Sequence, residues 1–131
     1  MRIEEIKSEF FYYDVPKAET HKNNLLKLID LIPNNPFEEI SHTDWNLPEQ
    51  FERKYLKYFF DNILSNMMEE QLKYFNSHRW RVEKCWFQQY GNKSGHLWHN
   101  HPRTNFTNVY FLELPNESLK TSLKVGEKEY E

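Results

Sequence analysis

Apolar residues recur along this chain at two different periods, and the change falls near residue 77. Between residues 18 and 32, Leu25, Leu26, Leu28, Ile29 and Ile32 are spaced for one face of a helix. Thr20 lies near its start and Pro33 ends it. A longer helical pattern covers residues 48–75, where Phe51, Tyr55, Phe59, Ile63, Met67 and Leu72 recur every four or five positions. It predicts an amphipathic helix broken near Ser65 and Asn66, with Met67 and Met68 filling core space. Asn34, Asn35 and Pro36 predict a turn, and residues 37–46 are polar enough to read as irregular. Ahead of both helices, the aromatic residues 8–15 read as a short strand bounded by Pro16.

From Trp80 onward the period is two. Trp80, Val82, Trp86 and Tyr90 share one face of an extended stretch, opposite Arg81, Glu83, Cys85, Phe87 and Gln89. A loop at residues 91–95 holds two of the three glycines. Residues 96–101 form a second extended stretch closed by Pro102, and residues 106–114 a third, ended by Pro115. Leu119, Thr121, Leu123 and Val125 alternate with lysines and serine, which predicts a fourth, half-exposed strand. Helices come first and strands second, so the expectation is one α+β domain over residues 1–131. Residues 1–76 are its mainly helical part and residues 77–131 its strands.

Composition narrows the function classes. Aromatics make up 17% of the 131 residues, enough for even a short chain to fill a core. No apolar run approaches the ~20 residues that span a bilayer, and the acidic N-terminus lacks the features of a secretion signal. A membrane partner is therefore not expected. The net charge of -3 and pI near 6.1 argue against nucleic acid as the main partner. The single cysteine, Cys85, cannot form an internal disulfide, in keeping with a cytoplasmic chain.

Three of the six histidines, His96, His99 and His101, fall within six residues. In a strand, positions i and i+2 point to one face with Cα atoms about 6.5–7 Å apart. Two imidazoles there can each place a nitrogen about 2.1 Å from a shared metal. His99 and His101 have that relation; His96, at odd separation from both, would point away, leaving a third ligand to come from elsewhere. Imidazole pairs suit Fe, Zn, Cu and Ni alike, so spacing does not choose the metal. Other chemistry is poorly represented. There is no glycine-rich phosphate loop. Cys85 lacks an activating motif, Ser94 lacks an orienting acid, and the glutamate pairs at 38–39 and 69–70 read as solvated faces.

The stretch WFQQYGNKSGHLWHNHPRTNFTNVYFLEL, residues 86–114, resembles the 2-oxoglutarate- and Fe(II)-dependent oxygenases, and specifically a subgroup common in phages and marine bacteria. The shared features are Trp86, Tyr90, Gly95, His99-Asn100-His101-Pro102 and the strand around Tyr110. The resemblance implies N-terminal helices packed on a double-stranded β-helix, a jelly-roll barrel with iron at its mouth. It implies a cytoplasmic dioxygenase of a phage-encoded kind, which oxidises a substrate not identified by the sequence while decarboxylating 2-oxoglutarate to succinate. His99 would be the first iron ligand and His101 would stand where the family has a carboxylate. Tyr90 would reach a carboxylate of 2-oxoglutarate, and Tyr110 would line the same pocket.

The family's distal histidine and arginine have no counterpart here, since neither residue type occurs after Arg103. Incomplete C-terminal strands are therefore expected, with unpaired edges. A missing C-terminal segment, a second copy of the chain, or a smaller fold with an altered site would each account for that. Two other readings stand beside the oxygenase: a cupin-like metal-binding jelly roll, and a non-catalytic module acting in binding or assembly.

Overall fold

Pro16 and the left-handed Lys17 (φ 55°) start helix α1, Ala18–Ile29. Glu19 in its first turn and Lys27 in its last both oppose the helix dipole favourably. The computed structural model describes residues 1–5, 9–34, 41–91, 95–116, 121–125 and 127–130. α1 ends three residues before the expected Ile32, yet Ile32 stays buried because its N–H donates to the Ile29 carbonyl at 2.8 Å in one tight turn. The second helical region begins at Lys54, six residues later than expected. It comprises α2 (Lys54–Phe59), a π-helical turn (Phe60–Leu64) and α3 (Ser65–Tyr74). The irregularity thus falls one turn ahead of Ser65, and no break follows it. A π turn inserts one extra residue, and here two neighbours, Ile63 and Leu64, are both carried into the core.

The core joins the two helical regions. Leu25, Ile29 and Ile32 meet Tyr55 and Ile63, and Phe51, Phe87, Tyr110 and Leu112 pack against them half-buried. Polar contacts fix the register: Tyr58 accepts from Asn24 Nδ2 at 2.9 Å and shares a 2.8 Å hydrogen bond with His21 Nδ1.

Two antiparallel two-stranded sheets account for the ladder pairing among the described residues, and they hold no closed barrel. In the first, β1 (Ser41–Thr43) pairs with β2 (Gln88–Tyr90), Ser41 opposite Tyr90 and Thr43 opposite Gln88. In the second, β3 (Leu123–Val125) pairs with β4 (Lys128–Tyr130). Several expected elements change. Residues 41–43, expected to be irregular, supply a strand. The long strand expected from Trp80 shrinks to β2, because β1 offers only three residues to pair with. Residues 9–15 carry no ladder; Phe11 instead sets its ring 5.0 Å from Tyr74 and 5.4 Å from Phe75. Residues 106–114 are also unpaired, though Tyr110 and Leu112 still face inward and Val109 and Phe111 outward. The Asn35-Pro36 part of the expected turn, residues 37–40, Ser8 and Leu119 lie outside the described residues. No helix among the described residues is long and apolar enough to cross a membrane.

The chain exposes 11640 Å², against roughly 7,500 Å² for a compact monomer of this mass. Most of the described residues beyond residue 77 are exposed and carry much of that surplus. Leu123, Val125 and Tyr130 share one face of the β3–β4 hairpin and are each about 40% exposed.

Candidate metal centre

The site is built outward from one buried acid. Asp44 follows β1 and is 1% exposed. Its Oδ2 accepts from Arg53 Nε at 2.8 Å and from the Tyr55 hydroxyl at 2.6 Å. Its Oδ1 accepts the Phe87 backbone N–H at 3.0 Å, while Thr43 Oγ1 donates to the Phe87 carbonyl at 2.7 Å. Side chains thus extend the β1–β2 ladder past its last backbone pair. Arg53 spends its remaining donors on the carbonyls of Asp44, Leu47, Pro48 and Phe51, closing the loop that leads into α2. With Phe87 fixed, Trp86 lies edge-on to Trp45 at 4.4 Å, and the Lys84 ammonium caps Trp45 from 3.0 Å. The Trp86 ring lies 6.3 Å from that of His101.

The histidine segment, residues 96–101, pairs with no strand, so strand parity does not govern it. His99 and His101 do come together, with ring centroids 4.8 Å apart. His96, expected to point away, also reaches His99, at 4.3 Å. His99 Nδ1 lies 2.8 Å from the Leu97 carbonyl. A carbonyl can only accept, so Nδ1 carries a proton, and in the neutral ring Nε2 holds the lone pair. Such a bond orients a metal-binding imidazole. All three histidines are exposed.

These residues fit a metal in part. A ring nitrogen about 2.1 Å from an ion puts the ring centroid about 3.2 Å away, so two imidazoles at right angles on one ion lie about 4.5 Å apart. The spacing of His99 and His101 is close to that. Among the described residues, however, no group of three or more His, Cys, Asp or Glu side chains stands assembled to hold an ion.

Beside His99 runs an open groove of about 530 Å³, lined by Trp98, His99 and Asn100 on one side and Ser122, Leu123 and Lys124 on the other. Lys124 Nζ lies 5.9 Å from the Trp98 ring and 3.8 Å from a Glu129 oxygen. Alternation marks Lys124 only as part of the polar face of a strand, so its place beside His99 is not legible in the sequence. The hairpin that carries it across to His99 is a long-range feature.

The tyrosines are placed separately. Tyr90 ends β2 and is 47% exposed. Tyr110 stacks on Phe59 at 5.9 Å and lines a different groove, against Ala18, Glu19 and Lys22 of α1. Burial raises both phenols above their ordinary range, Tyr110 further through Tyr58, so each is a neutral O–H donor at physiological pH.

Near Asp44, burial and that carboxyl group push the Cys85 thiol up from 9.0 to about 11. Burial and the hydrogen bond to Asp44 also raise Tyr55. Between pH 9 and 11 the unfolded chain has lost the Cys85 proton and the folded chain keeps it. Stability is therefore full below pH 9 and falls as pH rises through that window. Urea midpoints at pH 8 and pH 10.5 check this. Wild type should lose roughly 1–2 kcal/mol more than Cys85→Ala over the interval; equal losses would contradict the placement.

No family model, curated protein or solved structure matches the chain.

Proposed function

We propose that the chain is a 2-oxoglutarate- and Fe(II)-dependent oxygenase in which His99 and His101 are iron ligands. The observation that carries this is their 4.8 Å ring spacing, with His99 Nδ1 already committed to a backbone carbonyl. The resemblance of residues 86–114 to that family supplies the identity of the metal and co-substrate, the cytoplasmic setting and the jelly-roll architecture to which the strands would belong. Iron with 2-oxoglutarate and O₂ would supply oxidative decarboxylation to succinate and CO₂, coupled to hydroxylation of a C–H bond, with one oxygen atom of O₂ entering succinate and the other the hydroxylated product.

The chain's own residues divide the remaining work. His99 and His101 hold the ion on a segment braced by Trp86. Trp98 forms an apolar wall of the groove beside them, and Lys124 offers that groove a cation for the distal carboxylate of the co-substrate. Tyr90 and Tyr110 enter as co-substrate residues on the resemblance alone. The open edges of the β3–β4 sheet are where further strands, from a second copy or from additional chain, would continue it.

Succinate formation tests the reading. Wild type should release succinate only with Fe(II) and 2-oxoglutarate both present. Lys124→Ala should raise the KM for 2-oxoglutarate about tenfold or more, the size of a lost charge-assisted hydrogen bond, with a smaller change in kcat. A second reading is a metal-binding module without turnover; among the described residues no third ligand stands assembled with His99 and His101. Saturable iron binding with no succinate would establish that one instead.

A further inference from the structure

Away from the histidine segment, six aromatic rings from four parts of the chain join into one exposed run. Phe75, at the end of α3, lies 4.8 Å from Phe106 and 5.4 Å from Phe11. Tyr74 lies 5.0 Å from both Phe11 and Phe75. Phe10, the chain neighbour of Phe11, lies 5.7 Å from Tyr130 of β4. None of the six belongs to the core, and they are 40–59% exposed. At ~200 Å² per aromatic side chain they offer roughly 500 Å² of apolar surface. A contiguous patch of that size is often functional.

We infer that this run is the contact face of a two-fold symmetric dimer, covered by a second copy of the chain. Area is one reason. A standard interface covers about 800 Å² on each partner, about 56–65% of it apolar, so it needs about 450–520 Å² of apolar surface a side. The run supplies that share. Charge is the other reason. On the α3 side of the run, the Glu9 carboxylate accepts from the Tyr74 hydroxyl at 3.0 Å. On the hairpin side, Lys128 shares the face of Tyr130. A two-fold contact sets a surface against itself. With the axis near Phe10 and Phe11, in the middle of the run, the α3 side of one copy lies over the hairpin side of the other. Glu9 of each copy then meets Lys128 of its mate, and like charges are kept apart. A strongly charged partner would find no single sign to complement there. The dimer does not depend on the metal-binding reading, since His99 and His101 take no part in the run.

Sedimentation equilibrium of the full chain, from low micromolar to submillimolar concentration, tests this. The mean mass should rise from 16.2 kDa and level off at twice that value. Phe10→Glu, at the axis, should weaken dimerisation about thirtyfold or more, as loss of a central aromatic does, with its far-ultraviolet circular dichroism unchanged. Phe106→Glu should act in the same direction from an independent position. Leu97→Glu changes an exposed apolar side chain outside the run and should leave the dimer as it is. Glu9→Lys and Lys128→Glu should each weaken it about tenfold, because like charges then meet twice per dimer. The two changes combined in one chain should bring the affinity back towards wild type. A mass fixed at that of one chain would overturn the inference. So would a mass that climbs past the dimer without levelling, which is aggregation. A dimer indifferent to both Phe10→Glu and Phe106→Glu would place the contact on another surface. A double charge variant no tighter than the single ones would overturn the two-fold pairing of Glu9 with Lys128.

Discussion

Replacing Asp44 by alanine is expected to lower the unfolding free energy by about 3–5 kcal/mol, the cost of breaking a buried charge pair from one side. The side chain of Asp44 is fully buried and that of Arg53 is 12% exposed. Without the acid, Arg53 Nε, the Tyr55 hydroxyl and the Phe87 N–H each lose their acceptor in a site that admits little water. Those donors come from α2, from the loop before it and from the strand region some forty residues later, so one deletion loosens three parts of the chain. Small domains have about 5–15 kcal/mol in total, so this variant should lose a large share of that margin. Urea denaturation measures it. At a slope of about 2 kcal/mol per molar, the midpoint should fall by about 2 M with the slope unchanged. A loss below about 1 kcal/mol would mean that Asp44 does not hold the two halves together. Because Phe87 precedes β2 and adjoins Trp86, the variant should also weaken metal binding at His101, though less than direct removal of a ligand.

Asp44 shows where local reading stops. It lies in a polar stretch, Ser-His-Thr-Asp-Trp, with the composition of a loop. Its importance comes from Phe87, 43 positions away, and no periodicity reports such a contact. The helices were legible because their evidence is local: Leu25, Ile29, Tyr55 and Ile63 recur at helical spacing and all are buried. The π turn was nearly legible, since a spacing of four or five hints at an irregularity without locating it. The extended segments were half legible. Tyr110 and Leu112 do alternate with Val109 and Phe111, as period two requires. Alternation fixes which side chains face inward, but a strand also needs a partner for its backbone, and partners are a tertiary matter. The histidines follow the same logic. Strand spacing pairs His99 with His101 and separates His96 from both, but that rule holds only in a paired strand, and residues 96–101 are unpaired.

Removing the His99 imidazole is expected to abolish tight metal binding, with a loss beyond 100-fold. Changes to groups that merely orient a ligand cost about 10–100-fold, and His99 is the ligand whose tautomer and aim are already set by the Leu97 carbonyl. His101→Ala should be severe but less complete, since that ring has neighbours in His99 and Trp86 but no hydrogen bond that sets its aim comparable to that of His99. Neither change should disturb folding, because both side chains are exposed and belong to no core contact. An unchanged urea midpoint would confirm that the loss is one of ligation.

The most direct test of the account follows the imidazole nitrogens by long-range ¹H–¹⁵N correlation during zinc(II) addition to the diamagnetic chain. Before metal, His99 should show the Nδ1–H tautomer. On titration, the signals of His99 and His101 should move together and stop at one equivalent, while His21 and His42, tied to Tyr58, Ile32 and Gln89, stay in place. Shifts spread over the exposed histidines, including His78, without saturation would contradict a defined centre and leave the oxygenase reading without its metal.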